Sequence, residues 1–186
     1  MKALIFCALF IFAVISAAAQ PARIIIIRHA EKPPDDSKES LSLKGQERAM
    51  ALVPYLTEML GAKDKGRSPV LFATKIGRKK MDNHTHETLE PLSLQLGIKI
   101  RAPYANSEYE ALARELLTDR VYEGRTVLIC WTHTRIPGLA SALGVSPEMP
   151  AWDENVFDRA LVVTFEGGKA KMENVPQKLL YGDSAN

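Results

Sequence analysis

The sequence predicts an α/β fold, a single three-layer α/β/α domain around a mostly parallel five-stranded sheet. Three observations carry that expectation. Residues 24–27 and 126–131 are apolar runs without polar alternation, as in strands buried on both faces. Segments with apolar residues at helical spacing separate such runs. The two kinds of segment alternate along the chain, which is how a sheet built from β-α units reads.

The first residues stand apart from the fold. Lys2 is followed by an almost wholly apolar run over residues 3–15, then by Ser16-Ala17-Ala18-Ala19 and Gln20-Pro21. A charged start, an apolar stretch and small residues at a cleavage point make a secretory signal peptide over residues 1–19, cut after Ala19. The run is shorter than the roughly 20 residues of a membrane span, so an uncleaved anchor is the competing reading. Cys7 lies inside the run without the small residues of a lipoprotein cleavage site ahead of it. The expected product is an exported protein, periplasmic or secreted, with no stable membrane anchor.

The domain expected over residues 20–186 keeps one cysteine, Cys130, so it can form no internal disulfide. The formal charge of +2 includes Lys2, which leaves the domain near neutral. That balance sets aside a nucleic-acid partner.

Each element has its own signal. Four consecutive isoleucines, residues 24–27, crowd a helix but suit a strand, and Pro33-Pro34 follow closely. Residues 33–40 are polar and loop-like. Leu43, Ala49, Leu52, Val53, Leu56 and Leu60 then recur at helical spacing up to Gly61, with Pro54 predicting a kink or two short helices. Val70-Leu71-Phe72-Ala73 is the second strand, and a basic, polar stretch over residues 75–86 leads into a helix through Leu89, Leu92, Leu94 and Leu96. Gly97 ends it, and Ile98-Lys99-Ile100 is a short third strand. Ser107 is placed to cap a helix over residues 108–117. Residues 126–131 are the fourth strand, Pro137 and Gly144 bound the next helix, and residues 160–165 are the fifth strand, closed by Gly167-Gly168.

Chemistry gathers at two strand ends. Arg28-His29-Ala30-Glu31 begins where the isoleucine strand stops, and Trp131-Thr132-His133-Thr134-Arg135 follows the fourth strand in the same way. In open α/β sheets, ligands bind beyond the carboxyl ends of the strands. Of four histidines in the chain, two fall at such ends with an arginine nearby.

These residues resemble a known family. Ile26-Ile27-Arg28-His29-Ala30-Glu31-Lys32 is similar to the Arg-His-Gly/Ala-Glu signature of the histidine phosphatase superfamily, also called phosphoglycerate mutase-like. Leu43-Lys44-Gly45-Gln46-Glu47-Arg48-Ala49 resembles its first-helix pattern, and Glu87-Thr88-Leu89-Glu90-Pro91-Leu92 its second-helix segment. The strand ending at His133, the helix after Arg135 and residues 152–163 agree in order, the last with a group of small bacterial members.

The resemblance implies a phosphatase acting on a phosphomonoester or phosphoramidate, with His29 as nucleophile. Imidazole suits that task, because its neutral form is abundant near physiological pH. Arg28 and His133 would stabilise the phosphoryl oxygens. The resemblance requires no cofactor and no metal, and the sequence shows no clustered metal-ligand spacing beyond His84-x-His86, which is insufficient. The implied partner is a small phosphorylated substrate or a phosphohistidine protein.

Two departures bear on activity. Where family members place a second phosphate-binding arginine, this chain has His84, which lacks the permanent charge and the bidentate fork. Arg135 is a candidate replacement, and Arg78-Lys79-Lys80 either contributes a cation or is a solvated basic loop. Glu108 is the candidate general acid, the alternative being a helix N-terminal carboxylate facing the dipole. Glu31 either orients His29 or Arg28 or takes a direct chemical part. Cys130 and Trp152 read as packing residues, and Trp131 either packs or lines the pocket. Two rivals remain: a non-catalytic phosphate-binding module, and a phosphoglycerate mutase, which an exported location disfavours.

Overall fold

The computed structural model describes residues 20–34, 40–61, 67–77 and 83–183. The proposed signal peptide and Arg78, Lys79 and Lys80 lie outside the described residues. The elements run β1 (Arg23–Arg28), α1 (Leu43–Gly61), β2 (Val70–Phe72), α2 (His84–Leu96), β3 (Ile100–Arg101), α3 (Tyr109–Thr118), β4 (Thr126–Trp131), α4 (Ile136–Ala142), β5 (Arg159–Glu166) and β6 (Lys169–Pro176).

The sheet has six strands in the order β3-β2-β4-β1-β5-β6. β1 through β4 are mutually parallel where they pair, and β5 runs antiparallel to both β1 and β6. Side chains of successive strand residues point to opposite faces, and both faces are covered. Ile24, Ile26, Val127, Ile129 and Trp131 pack with Leu112 and Leu116 of α3 and Leu139 of α4. Ile25, Ile27, Leu128 and Cys130 pack with Leu52 and Leu56 of α1 and Leu89 and Leu92 of α2. This is the three-layer arrangement the unalternating runs predict. β1 and β4 are neighbours whose following helices lie on opposite faces, so their carboxyl ends border the crevice where such sheets bind ligands.

The structure corrects the sequence reading in four places. The sheet has a sixth strand, because Gly167 (φ 57°) and Gly168 (φ 77°) form a two-residue hairpin turn instead of an end. β5 is antiparallel because the segment before it returns to the carboxyl edge of the sheet. There Arg28 donates to the carbonyls of Asp153, Glu154 and Val156, so the chain re-enters the sheet pairing Ala160 with Ile27. α1 is one continuous helix despite Pro54. Pro54 is exposed, as is Met50 one turn earlier, so the carbonyl deprived of its partner lies on the solvent side. Ser107 caps nothing: Glu108 occupies the N-cap of α3 without a side-chain capping bond.

Candidate active site

The register aligns Arg28 with Trp131, so the residues just beyond them leave adjacent strands side by side. The His29 amide continues the ladder by donating to the Trp131 carbonyl at 3.1 Å. His29 is only 6 % exposed. Its Nδ1 lies 2.8 Å from the Ala30 carbonyl oxygen, which can only accept, so Nδ1 carries the proton and the lone pair is on Nε2. Burial pushes the His29 pKa down to about 3, and the charges of Arg28, His84 and His133 act in the same direction against the Ala30 hydrogen bond. The imidazole is therefore neutral at any physiological pH.

The loop after His29 is fastened on two sides. The Ala30 amide donates to Thr88 Oγ1 at 2.9 Å, and the Thr88 hydroxyl donates to the His84 carbonyl at 2.7 Å. α1 meets the loop from the other side, where a Cβ on Gly45 would lie 2.1 Å from the Glu31 carbonyl oxygen. Only glycine permits that approach. Ser42 completes the joint, its amide and hydroxyl both donating to that same carbonyl.

A cavity of about 350 Å³ opens beside His29, lined by His29, His84, Thr74, Thr85, Asn106 and Thr132, with Lys75 and Ile76 on its wall. The His84 ring centroid is 5.6 Å from that of His29. Thr74 and Thr85 share a hydroxyl–hydroxyl bond of 2.7 Å, and Thr132 donates to Asn106 Oδ1 at 2.6 Å. Hydroxyl and amide groups, two imidazoles and the Lys75 ammonium thus line the cavity, and no carboxylate does so among the described residues.

Arg28 is 3 % exposed and, like His133, is not among the residues that line the cavity. Its Nη1 donates to the carbonyls of Glu154 (2.5 Å) and Val156 (3.0 Å), with that of Asp153 at 3.4 Å, and its Cζ stands 3.7 Å from the centroid of the Phe157 ring. Its Nε is buried and makes no hydrogen bond among the described residues. Burial lowers its pKa to about 10, against the attraction of Glu31, Glu154 and Asp153, which leaves it cationic. His133 is half-buried with Nδ1 lacking a partner among the described residues, and burial together with the Arg28 charge lowers its pKa. Two side chains close enough to act on His29 thus have buried donor or acceptor positions that a bound anion could use.

The remaining residues singled out from the sequence are placed elsewhere. Arg135 is exposed at the N-cap of α4 and does not line the cavity. Glu108 is exposed, its carboxylate accepting from the Ala105 amide at 2.7 Å, and it too is off the cavity wall. Glu31 orients neither His29 nor Arg28 by a hydrogen bond; its carboxylate is gripped by Arg48, which also binds Asp183. Trp131 is wholly buried and donates to the Asn106 carbonyl, and Cys130 is likewise core. No group of three or more His, Cys, Asp or Glu among the described residues is placed to hold a metal ion. Phe157 and the turn over residues 153–156 lie within the 152–163 segment that resembles the family, but the sequence assigned them no role, and it did not single out the Thr74–Thr85 pair. A lone phenylalanine, a loop and two scattered threonines carry no spacing signal.

No family model and no curated protein sequence matches the chain. Solved structures do. A mycobacterial glucosyl-3-phosphoglycerate phosphatase with inorganic phosphate shares 12 % identity at a TM-score of 0.54, covering 82 % of this chain and 95 % of that one. The protein histidine phosphatase SixA complexed with tungstate shares 13 % at 0.55, covering 83 % and 97 %. A phosphoserine phosphatase variant from Entamoeba histolytica in complex with phosphoserine shares 10 % at 0.57, covering 85 % and 98 %. At these identities the likeness establishes the fold alone, an α/β domain shared with these phosphatases.

Proposed function

We propose that the protein is an exported, metal-independent phosphatase that hydrolyses a phosphomonoester or phosphoramidate through a phosphohistidine on His29. The observation that carries this reading is the state of His29. A neutral imidazole, its Nδ1 proton committed to the Ala30 carbonyl, presents the Nε2 lone pair as its reactive atom beside a cavity. The Nε2 lone pair forms the bond to phosphorus as the bond from phosphorus to the leaving oxygen or nitrogen breaks, and the leaving group takes that electron pair and a proton from solvent water. Water then attacks the phosphohistidine, the N–P bond breaks, and His29 is restored as orthophosphate departs. Arg28 and His133 would bear the negative charge of the transferring group, with His84 as a further donor.

The absence of a carboxylate from the described cavity wall bears on the leaving group. Alkoxides need a proton donor, whereas the imidazole of a phosphohistidine and the anion of an activated ester leave more readily. Phosphoramidates and activated phosphoesters are the substrates this wall favours, on a small molecule or a protein. The fold shared with phosphatases supports the same reading. Export rests on the composition of residues 1–19, and no helix among the described residues is long and apolar enough to cross a membrane.

The test is turnover of p-nitrophenyl phosphate and phosphoramidate between about pH 4 and 8, beside His29→Ala. Hydrolysis by the unaltered protein that the variant lacks is expected. Equal background rates for both would remove catalysis and leave a phosphate-binding module.

A further inference from the structure

Phe157 touches both halves of the site and belongs to neither the nucleophile motif nor the cavity wall. One face of its ring lies 3.7 Å from the Arg28 Cζ, and its edge meets His29 with centroids 6.3 Å apart and planes at 69°. The four residues before it are folded into a turn. The Val156 amide donates to the Asp153 carbonyl and the Asn155 amide to the Asp153 carboxylate, while Trp152 Nε1 donates to the Val156 carbonyl at 2.8 Å. That turn presents the carbonyls that hold Arg28 Nη1. Ring and carbonyls together fix the plane of the guanidinium and one of its corners. The Nε edge makes none of these contacts and has no hydrogen-bond partner among the described residues.

A buried arginine is usually neutralised by a hydrogen-bonded carboxylate, but here the direct supports are a ring face and backbone oxygens. Glu31, Glu154 and Asp153 attract the cation without hydrogen-bonding to it. The ring and the carbonyls hold the cation in place without cancelling its charge. We propose that Phe157, backed by the turn over residues 153–156, is a positioning residue that holds Arg28 flat with its charge and its Nε edge free for the phosphoryl group. This rests on the reading of His29 and Arg28 as a phosphoryl site. Phe157 itself touches no reacting atom. Its loss would free the guanidinium to rotate and would admit water to the His29 ring.

The experiment uses the full exported domain and two readouts. Orthovanadate binding is measured by calorimetry, and His29 titration by imidazole NMR, for the unaltered protein, Phe157→Leu, Phe157→Tyr and each change combined with Arg28→Lys. Phe157→Leu is expected to weaken orthovanadate binding by about tenfold or more, and Phe157→Tyr, which keeps the ring, by less than about threefold. In the Arg28→Lys background the leucine change should cost much less, because the ring's client is gone. His29 in Phe157→Leu should titrate above its depressed value, and in Phe157→Tyr it should not. Full vanadate affinity in Phe157→Leu, or an equal loss with and without Arg28, would overturn the proposal. If the unaltered protein bound no vanadate, the phosphoryl site itself would fail. The His29 titration would then decide separately, unchanged values in Phe157→Leu refuting the positioning role and raised values supporting it.

Discussion

Two buried arginines, Arg28 and Arg48, stand on either side of the same loop and are treated in opposite ways. Arg48 is 2 % exposed and chelated by two carboxylates, donating through Nε and Nη2 to Glu31 and through Nη1 and Nη2 to Asp183. Burial alone would lower its pKa, but the bonds to Asp183 and Glu31 outweigh it and raise it. Asp183 shows the reciprocal effect: burial would raise its carboxyl, yet Arg48 and the Leu180 and Leu179 amides hold it at about 2. Arg28 is equally buried but hydrogen-bonds only neutral carbonyls beside a ring face. Burial outweighs the attraction of Glu31, Glu154 and Asp153, so its pKa falls. A charge neutralised within the protein has little left for a ligand, whereas an unneutralised one favours an incoming anion. On the proposed function, Arg48 is a structural clamp and Arg28 the group that would meet the phosphoryl oxygens.

The largest effect should come from breaking the clamp. Arg48→Ala leaves two carboxylates without their cation and is expected to cost about 3–5 kcal/mol, read from urea unfolding. The fraction that remains folded should still turn substrate over. Arg28→Ala should do the reverse, lowering kcat/KM by roughly 100-fold or more while stability changes by less than about 2 kcal/mol. If both variants lost stability alike and kept activity alike, the distinction between the two arginines would collapse.

A smaller effect tests the joint between the Arg48 clamp and the His29 loop. Gly45→Ala forces a methyl group against the Glu31 carbonyl and should destabilise the protein by about 1–3 kcal/mol. His29 supplies a test in pH. The unfolded chain protonates it near its ordinary value of about 6.5, whereas the folded protein does so only near 3. Unfolding takes up a proton within that window, so stability falls as pH drops through it. Denaturation midpoints of the unaltered protein and His29→Gln should therefore converge on acidification from neutral pH, and parallel curves would refute the depressed pKa. The smallest expected effect is that of Glu108→Gln, whose exposed carboxylate only braces a turn. A change in kcat/KM beyond about twofold would restore it as a catalytic acid.

Much of this was legible in the sequence. The isoleucine run and residues 126–131 define β1 and β4, the inner parallel pair, because strands buried on both faces leave no alternation to misread. His29 and His133 could be assigned to strand ends for the same reason. The antiparallel β5 could not be foreseen, since its direction depends on backbone carbonyls reaching Arg28 from more than a hundred residues away, which no side-chain pattern records. β6 was hidden by its polar composition, although Gly167-Gly168 was its turn signal. Arg48 was visible as a motif position, but its partner Asp183 lies 135 residues further on and gave no sign of the pairing.

The proposed reaction passes through one atom, Nε2 of His29. Rapid quenching of the protein with acetyl phosphate or a phosphoramidate, followed by peptide mapping and phosphorus NMR at alkaline pH, reads that atom directly. The geometry predicts phosphorus on Nε2 of His29, absent from His29→Ala and reduced in Arg28→Ala. Phosphorylation at Nδ1, at another residue, or at none while substrate is consumed would contradict it.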